Sequence, residues 1–546
     1  MKFVLAQTNP TIGDLENNLN KILKNIDLAI KENAEVIVFP ELALCGYPPK
    51  DLLLKRQFIE DNKKYLNLLA EKANKQITVI LGIIEENYGE GKPLFNSVAV
   101  IKENKIVYTR QKTLLPTYDV FDEDRYFESG KTITPAKLFG KNFGLSICED
   151  IWHDDISWAR PRYKIDPITE LCKTNLDLII NCSASPYFMG KPQLREKVLI
   201  NCAKKHKLPI IYVNQVGGND DLIFDGNSCI IDKNGDVVLK LKSFEEDLQF
   251  FDLDIPHPAI SPSPHKPEEE LLQAITCGLH DYVNKCGFKK VIIGVSGGID
   301  SSLVATLATR ALGKENVLGI FMPSRFTSAE SEKDAKDLAN NLGIEIKTFS
   351  IEEPFKAFTE LLSPILSEKG VGIENIQSRI RGSILMSLSN ETGALVLTTG
   401  NKSEIATGYC TLYGDMCGAL AVISDLSKNN VYNLSKYINK KEGKEVIPEN
   451  TIRKEPTAEL RPNQKDQDTL PPYDVLDKIL GLYVEDHIPA KEIVNNNIPI
   501  ETIKKVCNMI DVNEYKRQQA APGLKLTSRA FGFGWRMPIA KRYKEQ

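Results

Sequence analysis

Val291–Ser302 reads VIIGVSGGIDSS. It opens with a short apolar run, Val291-Ile292-Ile293, of the kind that forms a buried parallel strand. Two adjacent glycines, Gly297 and Gly298, follow, flanked by Ser296, Asp300, Ser301 and Ser302, and a helical segment, LVATLATRAL, comes at once. Strand, glycine-rich turn and helix start together make an anion site, because unpaired backbone N–H groups and the helix dipole point the same way. The glycines let the backbone approach a phosphate, and the hydroxyls add donors. No lysine completes a G-x-x-x-x-G-K-[ST] pattern, which excludes the usual triphosphatase loop. A plain glycine-rich turn is the competing reading of this stretch taken alone.

The surrounding sequence predicts a doubly wound parallel sheet. A helix from Glu268 leads into the first strand, and further strands are expected at Val317–Met322, Glu345–Phe349 and Ala394–Thr398, with helices between them. Ser328 is placed to cap the helix that follows the second strand. A nucleotide belongs at the carboxyl edge of such a sheet. There LVLTTGNKSEIATGY, residues 395–409, offers Thr399 as a donor, and Glu404 as a carboxylate that with Asp300 suits Mg²⁺ beside phosphate oxygens. Each acid alone reads more readily as a helix-terminal charge than as a ligand; together, on adjacent strand ends beside a phosphate loop, they favour metal. NIQSRIRG puts Arg379 and Arg381 near a helix start, where one of them can pair with a substrate anion or face solvent.

The first half also alternates apolar runs with helical segments. Strands are expected at Phe3–Ala6, Val36–Phe39, Thr78–Ile84, Ser97–Ile101, Phe143–Ile147, Leu178–Asn181 and Ile210–Val213, and helices at Asn18–Asn33, Asp51–Lys72 and Gln193–Lys205. Three reactive side chains stand past strand ends: Glu41 in VIVFPEL, Lys112 in RQKTLLP and Cys148 in FGLSICED. A thiol nucleophile needs a base for its proton and a cation nearby, and these three supply both without histidine. Singly, each has a plainer explanation as a strand-end charge, a surface lysine or a structural cysteine.

The totals set limits on the function. With 546 residues the chain needs two or more domains, and 42% hydrophobic and 26% charged residues are the proportions of a soluble globular protein. A formal charge of −4 gives no global field for nucleic acid, so no nucleic-acid partner is expected. Eleven cysteines without a C-x-x-C pair and six histidines argue against a zinc or disulfide framework and for the reducing cytoplasm. Neither a signal peptide nor a membrane span is read, so no membrane partner is expected. DLDIPHPAISPSPHKPEEE, residues 252–270, is proline-rich and reads as a connector. The expected division is 1–255, a linker at 256–267, and 268–546.

Resemblances give these motifs a chemistry. FPEL, RQKTLLP and ICED resemble, in order and spacing, the three motifs of the nitrilase (carbon–nitrogen hydrolase) superfamily. That likeness implies an αββα sandwich with Glu41 as general base, Cys148 as nucleophile, and Lys112 with the backbone N–H after Cys148 stabilising the oxyanion. It also implies that Tyr118, Glu149, Ser185 and Lys191 hold glutamine, although many members carry arginine where Lys191 stands. SGGIDSS resembles the loop of the ATP pyrophosphatases. Together with IQSRIRG, TTGNKSEIATGY and KEPTAELRP, it makes residues 265–546 similar to the synthetase domain of the NAD synthetases, with a Rossmann-like sheet.

The full chain thus resembles glutamine-dependent NAD synthetases. The likeness implies that Ser296, Gly297, Gly298, Ile299, Asp300, Ser301, Ser302, Leu303, Thr399 and the Lys454–Thr457 region bind ATP. It assigns Arg379, Glu404 and Lys516 to deamido-NAD and Asp300 with Glu404 to Mg²⁺, and implies a homo-oligomer built through the synthetase domain. The implied substrates are glutamine, ATP and deamido-NAD, with ammonia passed from the first half to the second. An amidotransferase making GMP or asparagine would need other acceptor segments and another glutaminase type. A nucleotide sensor without catalysis would have no use for Glu41, Lys112, Cys148, Asp300 and Glu404 together.

Overall fold

β-Branched and leucine-rich runs dictate the scaffold of the first half: twelve of its strands pair into two six-stranded sheets, as given by the computed structural model. The structure describes residues 1–73, 75–153, 162–261, 264–367, 370–493 and 498–543. The chain divides into two units, Met1–His265 and Lys266–Gln546. The expected linker includes residues 262 and 263, which lie outside the described residues. Part of that stretch packs on the first unit: Ile260 N–H donates to the Val237 carbonyl at 2.7 Å, and His257 stacks on Phe251 at 3.9 Å between centroids.

In the first unit, one sheet has the spatial order Asp247–Asp252, Lys2–Gln7, Val36–Val38, Thr78–Glu86, Leu94–Lys102, Lys105–Gln111. The other runs Val237–Lys240, Cys229–Ile231, Ile210–Asn214, Leu178–Ser183, Lys141–Ile147, Ala136–Leu138. Successive residues of a strand face opposite ways, so each sheet buries two apolar faces. Phe3, Leu5, Val36, Val38 and Ile80 meet Leu145, Ile147, Ile180, Ile211 and Val213 between the sheets. Outside the first sheet, Val4, Ala6 and Ile37 pack under Leu19, Ile22 and Ile26 of helix Leu15–Lys31 and Leu66 and Leu69 of helix Arg56–Lys72. Outside the second, Ile179, Ile210 and Tyr212 pack under Val198, Leu199 and Ala203 of helix Lys191–His206. The first unit is therefore an αββα sandwich.

The second unit holds an all-parallel sheet in the order Glu345–Thr348, Val317–Phe321, Val291–Gly294, Leu395–Thr398, Leu420–Ala421. Ile292, Ile320 and Val396 bury one face against Phe355, Ile376, Ile380 and Leu385, from helices Glu352–Leu362 and Val371–Thr392. The alternate residues Val291 and Ile293 are buried as well, on the opposite face. Ser328 does cap helix Ala329–Leu342, accepting from Ser331 N at 3.1 Å. The strand Leu420–Ala421 was not expected, because two residues carry no readable periodicity. Arg379 and Arg381 lie in the middle of a helix that begins at Val371, not near its start, since nothing between Gly370 and Gly393 breaks it. A further helical layer gathers Ala406, Leu476, Ile479, Ile503, Val506, Ile510 and Trp535. No helix of the described residues is long and apolar enough to cross a membrane.

One glycine in the sandwich sets the position of a candidate catalytic residue. A Cβ on Gly82 would lie 2.2 Å from Leu42 N and 2.5 Å from the Glu41 Cα. Only a bare backbone here admits the segment carrying Glu41. Gly82→Ala should therefore lower the stability of the protein by about 1–3 kcal/mol, the usual cost of overpacking a filled core. Thermal melting checks this; an unchanged melting temperature would mean that the Glu41 segment yields without strain.

Candidate active sites

Glu41, Lys112 and Cys148 converge in the first unit, because each follows the end of a strand of the sandwich. Lys112 comes directly after Lys105–Gln111 and Cys148 directly after Lys141–Ile147. All three are buried. Lys112 Nζ donates to Glu41 Oε1 at 2.8 Å and to Glu123 Oε1 at 2.7 Å. Asn96 Nδ2 donates to the same Glu41 oxygen at 2.7 Å, and Ala184 N–H to the other at 2.9 Å. Tyr47 O–H donates to Glu123 at 2.8 Å. Burial by itself would depress the Lys112 ammonium, but Glu123 and Glu41 outweigh it and hold the group well above the ordinary lysine range. Burial pushes the Glu123 carboxyl up to about 7, with Lys112 opposing and Glu41 assisting.

Cys148 has φ 38°, a left-handed conformation that a residue with a Cβ rarely adopts. It starts the short 3₁₀ turn Cys148–Ile151. Burial raises its thiol well above the ordinary range; Glu41 adds to that, and Lys112 pulls the other way. The sharp turn is fixed by Asp150, which accepts from Arg110 Nη1 at 2.9 Å, from Thr113 N and Leu114 N at 3.0 Å, and from Ile147 N at 3.2 Å. Asp150 thus ties the segment after Lys112 to the turn that carries Cys148.

The four residues expected around glutamine are placed as follows. Glu149 is buried and accepts from Tyr118 O–H at 3.0 Å and from Tyr163 O–H at 2.7 Å; burial raises its carboxyl above the usual range. The Arg162 guanidinium lies 3.9 Å over the Tyr118 ring. Ser185 is buried, its N–H donating to Asn214 Oδ1 at 2.9 Å. Lys191 begins helix Lys191–His206, and its Nζ stands 3.7 Å over the Trp152 ring. Sequence reasoning missed Glu123, Asn96 and Tyr163. Glu123 sits in DVFDEDRYF among several acids, and nothing in that run singles it out.

In the second unit, the loop after Val291–Gly294 runs into helix Ile299–Leu312, so Ile299, Asp300, Ser301, Ser302 and Leu303 form its opening turns. Gly297 has φ 79°, and a Cβ there would meet the Ser331 carbonyl at 2.2 Å. Ser296 Oγ accepts from Gly298 N at 3.2 Å, while Ser301 and Ser302 hydroxyls donate back to the Gly298 carbonyl at 3.0 and 2.8 Å. These hydroxyls brace the loop from within. Asp300 Oδ1 accepts from Asn401 Nδ2 at 2.9 Å. The buried Lys428 Nζ donates to Asp300 Oδ2 at 2.6 Å and to Glu404 Oε1 at 3.2 Å. Asn401 also caps helix Lys402–Thr407, reciprocally with Glu404.

Burial pushes the Glu404 carboxyl up to about 8, with Lys428 opposing and Asp300 and Asp466 assisting. Asp466 accepts from Tyr473 O–H at 2.8 Å, yet its Oδ1 is buried with no hydrogen bond. Asp300 and Glu404 bring their carboxyl oxygens together on Lys428 beside the glycine loop. Two hard oxygen donors of this kind fit Mg²⁺ that takes its remaining ligands from phosphate oxygens and water. Neither Lys428 nor Asp466 was picked out from the sequence; SDLSKNN and NQKDQD have no motif that separates them from surface charges.

The other expected contacts are dispersed. Thr399 is half-buried just past strand Leu395–Thr398. Arg379 is exposed, and its Nε donates to the Leu412 carbonyl at 3.2 Å. Lys516 Nζ donates to the carbonyls of Gly408 at 2.7 Å and Cys410 at 2.9 Å, so it braces the end of the GNKSEIATGY segment. Lys454 Nζ donates to Ser331 Oγ, beside the glycine loop.

Known proteins resemble both units. Residues 4–257 match the carbon-nitrogen hydrolase family and residues 271–520 the NAD synthase family. The chain is 46% identical to a glutamine-dependent NAD(+) synthetase of Synechocystis sp., over 99% of both chains. It is 44% identical to that of Thermotoga maritima, over 100% of this chain and 99% of the relative. The solved glutamine-dependent NAD⁺ synthetase of Acinetobacter baumannii, in complex with ADP, superposes with a TM-score of 0.77 at 38% identity, covering 100% of this chain and 99% of that one.

The Glu123 carboxyl, ordinarily near 4.5 and here pushed up to about 7, takes up a proton on folding. Its contribution to stability is full below about pH 4.5 and is lost as pH rises through about 7. The melting-temperature advantage of the wild type over Glu123→Gln should therefore shrink across that window. A gap that stays flat or widens would show that Glu123 is ionised throughout.

Proposed function

The chain belongs to the family of glutamine-dependent NAD(+) synthetases, and we propose that it amidates deamido-NAD to NAD with ammonia from glutamine and with ATP cleaved to AMP and pyrophosphate. The observation that carries this reading is the presence, in one chain, of a buried thiol site without histidine and a glycine-rich nucleotide loop flanked by carboxylates.

In the first unit, Cys148 Sγ attacks the side-chain carbonyl carbon of glutamine while Glu41 takes the thiol proton. Lys112 and the backbone N–H after Cys148 stabilise the oxyanion. Collapse breaks the C–N bond, Glu41 returns the proton to the leaving nitrogen, and ammonia departs from a Cys148 thioester. Water, losing a proton to Glu41, hydrolyses that thioester and releases glutamate. Tyr118, Glu149, Ser185 and Lys191 hold the amino-acid end, with Glu149 facing the α-ammonium and Lys191 the α-carboxylate.

In the second unit, Ser296–Leu303, Thr399 and Lys454–Thr457 hold ATP, while Arg379, Glu404 and Lys516 hold deamido-NAD. A nicotinate carboxylate oxygen bonds to the α-phosphorus; the bond from that phosphorus to the bridging oxygen breaks, and its electron pair leaves on pyrophosphate. Asp300 and Glu404 would hold Mg²⁺, which when bound neutralises charge on the phosphates. Ammonia then bonds to the activated carbonyl carbon, AMP leaves with the C–O electron pair, and loss of a proton gives the amide. Adenylation is needed because a free carboxylate has no acceptable leaving group. The cytoplasm is the proposed location, supported by eleven cysteines without a C-x-x-C pair.

The protein is further proposed to self-associate through the synthetase unit. Phe358 at 48%, Leu361 at 74%, Ile365 at 87% and Val371 at 69% exposure form an apolar surface near helices Glu352–Leu362 and Val371–Thr392. Sedimentation should show an oligomer for the wild type and a smaller species for Ile365→Lys; a wild-type monomer would refute the assignment.

Cys148→Ala tests the division of labour. Glutamine-driven NAD synthesis should fall roughly a thousandfold or more, while synthesis from ammonium salts stays within a small factor of the wild type. Equal loss of both activities would overturn it.

A further inference from the structure

Arg381 is a guanidinium without a counter-charge in contact. It projects from the middle of helix Val371–Thr392 and donates through Nε to the Met322 carbonyl at 3.0 Å. Among the described residues it forms no ion pair. Burial lowers it to about 10, and Glu459 is the acid that opposes this. Glu459 is itself engaged elsewhere, accepting from Ser328 Oγ at 2.8 Å and Ser331 Oγ at 2.7 Å, with Lys454 Nζ at 3.6 Å. Withdrawing a charge from water without a partner is costly, and proteins keep such groups where a ligand of opposite charge completes them.

The register of the sheet locates this group. Gly294 pairs with Ile320 on the neighbouring parallel strand. Met322 is two residues past Ile320, as Ser296 is two past Gly294, so Arg381 bonds to the carboxyl end of the strand next to the one that feeds the glycine loop. One helical turn earlier on the same face, Gln377 Nε2 donates to the Leu460 carbonyl at 2.9 Å, holding the segment after Glu459 against this helix. Ser331, bonded to Glu459, is the residue whose carbonyl abuts Gly297. Ser331 and Glu459 thus stand at the glycine loop, and Arg381 and Met322 at the end of the neighbouring strand, on the same carboxyl edge of the sheet. Arg379, by contrast, is exposed and turned to Leu412.

We propose that Arg381 is a phosphate ligand of the ATP-cleaving site, its Nη groups taking oxygens of the ATP polyphosphate and of the pyrophosphate formed from it. This rests on the ATP-cleaving reading of the second unit. A planar fork of donors matches two phosphate oxygens at once, which a lysine at the same position does not.

The test uses the full chain with ammonium as nitrogen source, comparing wild type, Arg381→Gln and Arg381→Lys. Arg381→Gln should raise the KM for ATP and weaken inorganic pyrophosphate binding, measured calorimetrically with Mg²⁺ present, each by roughly tenfold or more. The KM for deamido-NAD should change less than about twofold, and Arg381→Lys should recover part of the pyrophosphate affinity. If Arg381 merely ties its helix to Met322, Arg381→Gln will lower the melting temperature and kcat and leave pyrophosphate affinity unchanged, which would overturn the proposal. Should Arg381→Gln fail to fold, pyrophosphate affinity in Arg381→Lys equal to that of the wild type would overturn it too. A wild type that releases no pyrophosphate from ATP with deamido-NAD would instead sink the reading on which the proposal rests.

Discussion

The first unit depends on keeping one ammonium ion dry. Lys112 is fully buried and bonded to two carboxylates, Glu41 and Glu123, neither of which reaches bulk water. An isolated ammonium would be neutralised by such surroundings, so the acids must stay, and their own remaining lone pairs must be met. Asn96, Tyr47 and the backbone of Ala184 meet them. Those partners come from separate elements of the sandwich, and the whole αββα arrangement is needed to deliver them to one point. In return the low dielectric makes each charge act strongly on the Cys148 thiol.

The second unit uses the same device for another purpose. Lys428 is also buried, and its ammonium bridges Asp300 on the glycine-loop helix to Glu404 on the next strand's helix. Here the bridging charge does not prepare a nucleophile. It holds two helix starts together at the carboxyl edge of a parallel sheet. Gly297 allows the start of a third helix to close on the loop, since the Ser331 carbonyl occupies the space a side chain would need.

Much of this was legible in the sequence. Strand runs such as Val36–Phe39 and Val291–Ile293 announce themselves by unbroken apolar character, and both layered folds follow from how they alternate with helices. Glu41, Lys112, Cys148 and the glycine loop were legible because they stand immediately past such runs. Glu123, Lys428 and Asp466 were not, for a common physical reason. Each comes from a polar stretch, and its burial arises only when distant segments close over it. Composition cannot separate a buried lysine from a solvated one. Helix Val371–Thr392 shows a limit in its boundaries: it starts before IQSRIRG, through VGIEN, which carries no helical signature.

Asp150 leads to a different kind of conclusion. Its two oxygens collect the Arg110 guanidinium and three backbone N–H groups, two of them directly beyond Lys112 and one just before Cys148. Two motifs far apart along the chain are thereby welded into a single mechanical part. The gap between thiol and ammonium is then a machined dimension, indifferent to breathing of the surrounding loops. Give to admit and release an amino acid is left to the side of Tyr118, Tyr163 and Arg162, where the two tyrosine hydroxyls reach Glu149 and the guanidinium lies over the Tyr118 ring.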